Sequence, residues 1–186
     1  MARNDTDFKK YENVIVCGVP ETGITSGIGY ADTLDIKYQQ VITKKEEGRT
    51  FILGTNKERI EACEKFDVSD IIKNKILVLI DDSLVRGNTL TTLIQKCKDK
   101  GVKEIHIRIV SPPVKSQCYY GIDIPTKNEL IASYNSVEKI QQIIGCNSLQ
   151  YLSITEMLLL INNKQSCVSC FTAVSYTHLR AHETRG

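Results

Sequence analysis

The chain has 186 residues, with 24 Lys and Arg against 22 Asp and Glu for a formal net charge of +2, and 41% of its residues are hydrophobic. That apolar fraction supports the core of one domain with an appendage, while the near-balanced charge gives no reason to expect nucleic acid or a membrane surface as partner. No run approaches the roughly 18 apolar residues of a spanning helix, and the polar stretch Met1–Tyr11 is no signal peptide, so the cytoplasm is expected, where seven cysteines do not make a disulfide framework.

Met1–Asn13 is polar. Val14–Val19 is a short β-branched run and predicts a strand. Pro20-Glu21-Thr22-Gly23 follows, then a helical stretch over Ile24–Leu34. Gln39–Ile42 predicts an edge strand. Thr43–Thr50 is charged, contains Gly48 and reads as a mobile loop. Asn56–Lys65 is helical by pattern, and Val68–Ile72 is a short connecting element.

The stretch from Lys75 to Thr89 organises the rest. Ile76–Ile80 is an unbroken apolar run, the pattern of a strand buried on both faces in a parallel sheet. Asp81-Asp82-Ser83-Leu84-Val85-Arg86-Gly87-Asn88-Thr89 follows, and Leu90–Lys100 predicts an amphipathic helix ended by Gly101 as a left-handed cap residue. Beyond it, Glu104–Val110 is a strand of imperfect alternation, with His106 and Arg108 among isoleucines, so one face is expected to be less covered; His106 is expected to be structural. Ser111-Pro112-Pro113 breaks the strand. A helix is predicted over Lys127–Ser133, another over Val137–Ile144 with Gly145 as its stop, then a strand-like piece over Leu149–Ile154 and a helix over Thr155–Ile161. Cys17, Cys63 and Cys97 fall in these patterns as small buried hydrophobes.

A buried strand handing over to a helix through Gly87 and Thr89 makes an anion site. Free N–H groups point out of the helix start, the dipole favours negative charge there, and Gly87 lets the backbone approach a phosphate. Asp81 and Asp82 fall at the carboxyl end of the strand, where ligands bind in open α/β sheets. They can accept hydrogen bonds from sugar hydroxyls or help to hold magnesium. A phosphorylated ribose has both features.

The run Ile76–Thr89 resembles the phosphoribosyl pyrophosphate (PRPP) signature of type I phosphoribosyltransferases. Within that group the chain is most similar to the glutamine PRPP amidotransferase family, over roughly Glu12–Thr172. Tyr120–Ala132 is similar to a segment of that family that follows the sheet, and Gly48-Arg49-Thr50-Phe51 to the end of its flexible catalytic loop. The turn Pro20–Gly23 stands where the family carries a Pro-Asp-Ser-Gly-like turn; Glu21 and Thr22 replace the acid and the serine, and Thr22 still offers a hydroxyl to magnesium. Thr43-Lys44-Lys45-Glu46 stands where the family has a Lys-Asn-x-Tyr run, and the missing tyrosine bears on the coupling of glutamine hydrolysis to PRPP binding.

The resemblance implies the α/β type I phosphoribosyltransferase fold: a mostly parallel sheet, helices on both faces and a flexible lid loop. It implies displacement of pyrophosphate from C1 of PRPP by ammonia, giving 5-phosphoribosylamine for de novo purine biosynthesis. The implied catalytic residues are Asp81, Asp82, Arg49 and Lys44. Ser83, Leu84, Val85, Arg86, Gly87, Asn88 and Thr89, with Glu21, Thr22 and Gly23, would bind PRPP. Thr22, Asp81 and Asp82 would hold Mg2+. Cys118, Cys167 and Cys170 match three of four cysteines that carry a [4Fe–4S] cluster in one class of the family; the fourth is expected in a part of the family's chain preceding Met1, so the cluster is expected to be incomplete here. Cys146 is a remote substitute and reads better as a buried thiol. The family's N-terminal glutaminase domain is not expected within these 186 residues, so ammonia would come from elsewhere, and the intact enzyme is expected to be a homo-oligomer. The expected division is a phosphoribosyltransferase domain over 12–161, a truncated cysteine-bearing extension over 162–172, and a non-native tail over 173–186. That tail, which carries His178 and His182, reads as translated vector sequence. Two alternatives are a PRPP-binding regulator, for which Met1–Asn13 is too short to hold a DNA-binding module, and a salvage or pyrimidine phosphoribosyltransferase, which would need a base-binding hood after Val110.

Overall fold

The computed structural model describes residues 5–45, 66–118, 124, 126–162 and 166–174. Its centre is a four-stranded parallel sheet made of β1 (Val14–Gly18), β4 (Ile76–Asp81), β5 (Glu104–Ile109) and β6 (Ser148–Tyr151), in the order β1-β4-β5-β6. β2 (Ile42–Lys44) and β3 (Phe66–Val68) form a separate antiparallel pair. The helices are α1 (Ile24–Leu34), α2 (Asn88–Asp99), α3 (Val137–Ile144), α4 (Ile154–Ile161) and the single turn α5 (Ser169–Thr172). Among the described residues no helix is long and apolar enough to cross a membrane.

The two faces of the sheet separate by the strand period of two. Ile15, Cys17, Leu77, Leu79, Ile105, Ile107 and Leu149 pack with Leu90, Leu93, Ile94 and Cys97 of α2 and with Ile140 and Ile144 of α3. Val14, Val16, Ile76, Val78 and Ile80 pack with Tyr30, Ala31 and Leu34 of α1 and with Phe8. Every residue of β1 and β4 is buried, as the apolar run requires of a strand covered on both sides.

The predicted elements recur with three corrections. Gln39–Val41 are not strand: one bridge pairs Tyr38, just before them, with Val16, and the strand starts only at Ile42 and runs through Lys44 into the expected loop. The helix predicted over Lys127–Ser133 is two 3-10 turns, Lys127–Glu129 and Ile131–Ser133. Between them Leu130 is extended and 2% exposed. The amide N–H of Ile131 leaves the helical ladder and donates to the Val85 carbonyl at 2.9 Å. The third correction concerns the polar face of β5: Arg108 is only 2% exposed. A 3-10 turn at Thr6–Lys10 covers it, with the Phe8 ring against His106 and Arg108. Arg108 Nε and Nη2 donate to the Asp5 carboxylate at 2.7 and 2.9 Å, and Tyr30 Oη donates to the same group at 2.7 Å. The packed unit therefore includes residues before the expected boundary at 12. His106 is structural as expected, bonded to Ser148 Oγ and Glu104. The helix predicted over Asn56–Lys65, Cys63, and His178 and His182 lie outside the described residues.

Candidate functional site

The site lies where β1 and β4 end. Backbone contacts bind the loop after β1 to the end of β4: Val19 N–H donates to Ile80 O at 2.8 Å, and Gly23 N–H donates to Val19 O at 2.9 Å. Two glycines make the approach possible. A Cβ on Gly23 would stand 2.1 Å from Ile80 O, and one on Gly18 would stand 2.5 Å from the Gly23 backbone. The peptide between Pro20 and Glu21 is cis. With the loop held this close to β4, Thr22 Oγ1 donates to Asp81 Oδ1 at 3.1 Å, across 59 positions of sequence.

Asp81 ends β4 and is 8% exposed, while Asp82 beside it is exposed. Burial pushes the Asp81 carboxyl up to about 7; the Asp82 amide works against the rise and the Asp82 charge adds to it. The Asp82 N–H donates to Asp81 Oδ1 at 3.0 Å, and Ser83 Oγ donates to Asp82 at 3.4 Å. Three groups predicted from two separate motifs, Thr22 from one and Asp81 and Asp82 from the other, are thus together. They supply hard oxygen atoms, the donor chemistry magnesium takes alongside substrate phosphates.

The loop after Asp82 leads into α2. Leu84 is 3% exposed and belongs to the core, so its side chain anchors the loop and is not available to a ligand. Ser83 and Val85 are half-buried; Arg86, Asn88 and Thr89 are exposed. The Arg86 guanidinium is held by Glu129, with Nε and Nη2 at 2.8 and 2.7 Å from Oε2. Gly87 takes φ +85°, a conformation that costs other residues strain. It leaves the start of α2 without a side-chain cap, and Gly23 does the same at α1, whereas Ser136 and Ser153 cap α3 and α4. Uncapped N–H groups at the two helix starts nearest the strand ends are available to anions.

Lys44, at the end of β2, reaches within 3.7 Å of Glu21, which brings the root of the expected lid to the Pro20–Gly23 turn. Arg49 and the rest of Gly48–Phe51 lie outside the described residues. Sequence reasoning missed Gly18 and Glu129. Gly18 could have been suspected from a glycine ending an apolar strand just before the turn, but nothing in the local sequence marks Glu129.

The cysteines gather elsewhere. The N–H groups of Lys115 and Ser116 donate to Cys170 O at 2.8 and 3.0 Å, which draws α5 to the segment before Cys118. Burial, then the charges of Cys118 and Cys167, push the Cys170 thiol up, while a Ser169 hydrogen bond holds that of Cys167 down. Among the described residues no three His, Cys, Asp or Glu are arranged as a metal site. The three thiols therefore have the right chemistry and share a locality, but they do not form a finished ligand set. Cys146 is half-buried and its thiol donates to Ser148 O at 3.3 Å.

The family model for the phosphoribosyl transferase domain matches residues 2–128. An amidophosphoribosyltransferase from Pyrococcus horikoshii is 40% identical over 162 residues, covering 87% of this chain and 36% of its own length. One from Rattus norvegicus is 45% identical over 143 residues, covering 75% of this chain and 28% of its own. Among solved structures, the glutamine PRPP amidotransferase of Bacillus subtilis complexed with ADP and GMP superposes with a TM-score of 0.78 at 36% identity, over 92% of this chain and 40% of that one. This chain spans about a third of the length of these relatives. A family match over more than half of its residues, on a parallel sheet whose central strand ends in Asp81-Asp82 beside Thr22, means that the chain belongs to the phosphoribosyl transferase domain family.

Proposed function

We propose that this chain is the phosphoribosyltransferase portion of an amidophosphoribosyltransferase, releasing pyrophosphate from PRPP as ammonia attacks C1 to give 5-phosphoribosylamine, a step of de novo purine synthesis. The observation that carries this reading is the joining of Thr22 to Asp81 at the end of the central strand, next to the uncapped start of α2. The 5-phosphate would sit on the N–H groups of Gly87–Thr89, with the hydroxyls of Ser83 and Thr89 in reach. Asp82 is exposed, and beyond its bond from Ser83 Oγ it would accept hydrogen bonds from ribose hydroxyls. Asp81, fixed by Thr22 and the Asp82 amide, would hold the adjoining edge of the sugar. Glu21, Thr22 and Gly23 would border the pyrophosphate, with Lys44 and Arg49 bringing positive charge as the lid closes over it. Thr22, Asp81 and Asp82 would hold magnesium, which when bound neutralises negative charge on pyrophosphate.

Ammonia would come from a glutaminase unit such as the longer relatives have room for, within a homo-oligomer in the cytoplasm. Cys118, Cys167 and Cys170 are proposed as three thiolate ligands of a [4Fe–4S] cluster completed by a fourth group. The locality they share supports this reading. Iron and sulfide analysis of anaerobically purified protein tests it, and a protein without iron under those conditions refutes it.

The activity is tested by pyrophosphate release from PRPP with ammonium and Mg2+, beside the Asp81→Asn variant. Release that the variant abolishes supports the enzyme. PRPP binding without release favours the regulator, and no binding refutes both.

A further inference from the structure

We propose that Glu129 is a positioning residue for the phosphate loop, and that Arg86 serves as the strut through which it acts rather than as a ligand of PRPP. This rests on the PRPP-binding reading above and deepens it.

Three contacts join the two 3-10 turns at Lys127–Ser133 to the loop. Two of the three Arg86 guanidinium nitrogens, Nε and Nη2, reach one Glu129 oxygen at 2.8 and 2.7 Å. The other Glu129 oxygen accepts from Thr126 Oγ1 at 3.0 Å, so both oxygens are engaged and the carboxylate is oriented. The Ile131 N–H donates to Val85 O at 2.9 Å. The Ile131 side chain closes the third contact: its Cδ1 lies 3.0 Å from where a Gly87 Cβ would be. Three successive loop residues, Val85, Arg86 and Gly87, are thereby seated by one segment. The segment is itself tied down: Asn135 Nδ2 donates to Ile131 O at 2.8 Å and Ser133 Oγ donates to Lys115 O at 2.9 Å.

The geometry has a functional consequence. The loop binds a phosphate through N–H groups whose directions depend on the turn at Gly87, where φ is +85°. A loop with these struts is preorganised, and a loop without them must be ordered by the ligand at a cost in affinity. An arginine whose Nε and Nη2 edge is turned onto a carboxylate also offers less of its charge and fewer donors to a phosphate. Both side chains are about half exposed, with side-chain exposures of 53% and 45%, so the ion pair itself is weak and screened. Its role is orientation of the loop.

The experiment measures PRPP binding by calorimetry and PRPP-dependent pyrophosphate release with ammonium for the wild-type chain, Glu129→Gln, Arg86→Glu and the swap Arg86→Glu with Glu129→Arg. Wild-type binding establishes the underlying reading; its absence refutes that reading and this inference with it. Given wild-type binding, Glu129→Gln is expected to weaken PRPP affinity and raise KM about three- to fivefold, with kcat changed less than twofold. Arg86→Glu is expected to weaken binding further, and the swap is expected to recover most of the loss. A swap as defective as Arg86→Glu alone would show that the Arg86 charge meets the substrate and would overturn the proposal. Unchanged affinity in Glu129→Gln would overturn it too. Melting temperatures of all four proteins separate unfolding from a displaced loop.

Discussion

The buried pair between Asp5 and Arg108 joins the 3-10 turn at Thr6–Lys10 to the centre of the sheet, and removing its acid strands a buried charge. In Asp5→Ala, Arg108 keeps only Ile107 O and Ser148 Oγ, both on Nη1 at 2.9 Å. Its Nε and Nη2 lose their acceptor, and the guanidinium, at 2% exposure, has no counter-charge. Breaking one side of such a pair costs about 3–5 kcal/mol, most of it the penalty of an uncompensated buried charge. For a chain of this size the melting temperature should fall by about 6–20 °C. The assay is urea and thermal unfolding of wild type, Asp5→Ala, and Asp5→Ala with Arg108→Met. The double variant should recover much of the loss, because an apolar side chain leaves no charge to strand. Burial pushes the Asp5 carboxyl up, but the hydrogen bonds from Arg108 and Tyr30 and the Arg108 charge outweigh it and hold it below its ordinary value. The pair's contribution is therefore present above the unfolded carboxyl value of about 3.9 and is lost as pH falls through the lower folded one. A loss of less than about 1 kcal/mol in Asp5→Ala at pH 7 would refute the assignment of this turn to the folded core.

Three further outcomes follow from the site. Asp81, raised to about 7, favours its neutral form in the folded state, a contribution present below the unfolded value and lost as pH rises through about 7; Asp81→Asn should therefore raise the melting temperature more at pH 8 than at pH 5 while abolishing pyrophosphate release. Gly23→Ala would set a methyl 2.1 Å from Ile80 O and should detach the turn from β4, with PRPP affinity falling at least tenfold in calorimetry. Gly87→Ala should cost about 1–2 kcal/mol in urea unfolding for its left-handed backbone, with an added loss of PRPP affinity as the methyl presses on Ile131.

The sheet was legible because its signals are local and strong. Ile76–Ile80 could only be a strand covered on both faces, and the glycines at 87, 101 and 145 all take positive φ where a turn or helix end needs it. What escaped the sequence was long-range. Arg108 looked like a residue on a less covered face, since nothing in Glu104–Val110 names a partner 103 positions away at Asp5. The same limit hid the role of Glu129, whose partner Arg86 lies 43 positions earlier. Lys127–Ser133 has helical composition, yet a buried Leu130 and the bond from Ile131 to Val85 break the ladder, a tertiary override of local propensity. Of the candidate site, the motif residues were readable one stretch at a time. Their convergence was implied only by the resemblance and not by the residues themselves, because it depends on Gly18 and Gly23 letting one loop lie against the end of another strand.

Two adjacent carboxylates at one strand end would repel each other if their surroundings were alike. They are not alike. The strand period sends Asp81 inward, where Thr22 and the Asp82 amide meet it, and leaves Asp82 in solvent. An acid held near neutrality in its pocket gains most from a ligand that brings positive charge or donates hydrogen bonds, since either drives it to ionise in place. Ribose hydroxyls and a divalent cation are ligands of that kind, and an anion alone is not. The position proposed for the anion lies a few residues on, at the N–H groups that Gly87 leaves uncapped. A molecule that satisfies both ends at once must carry phosphate and hydroxyls on a short rigid frame. The sequence of the stretch, acids first and glycine after, therefore fixes the direction in which a phosphorylated sugar can lie across it.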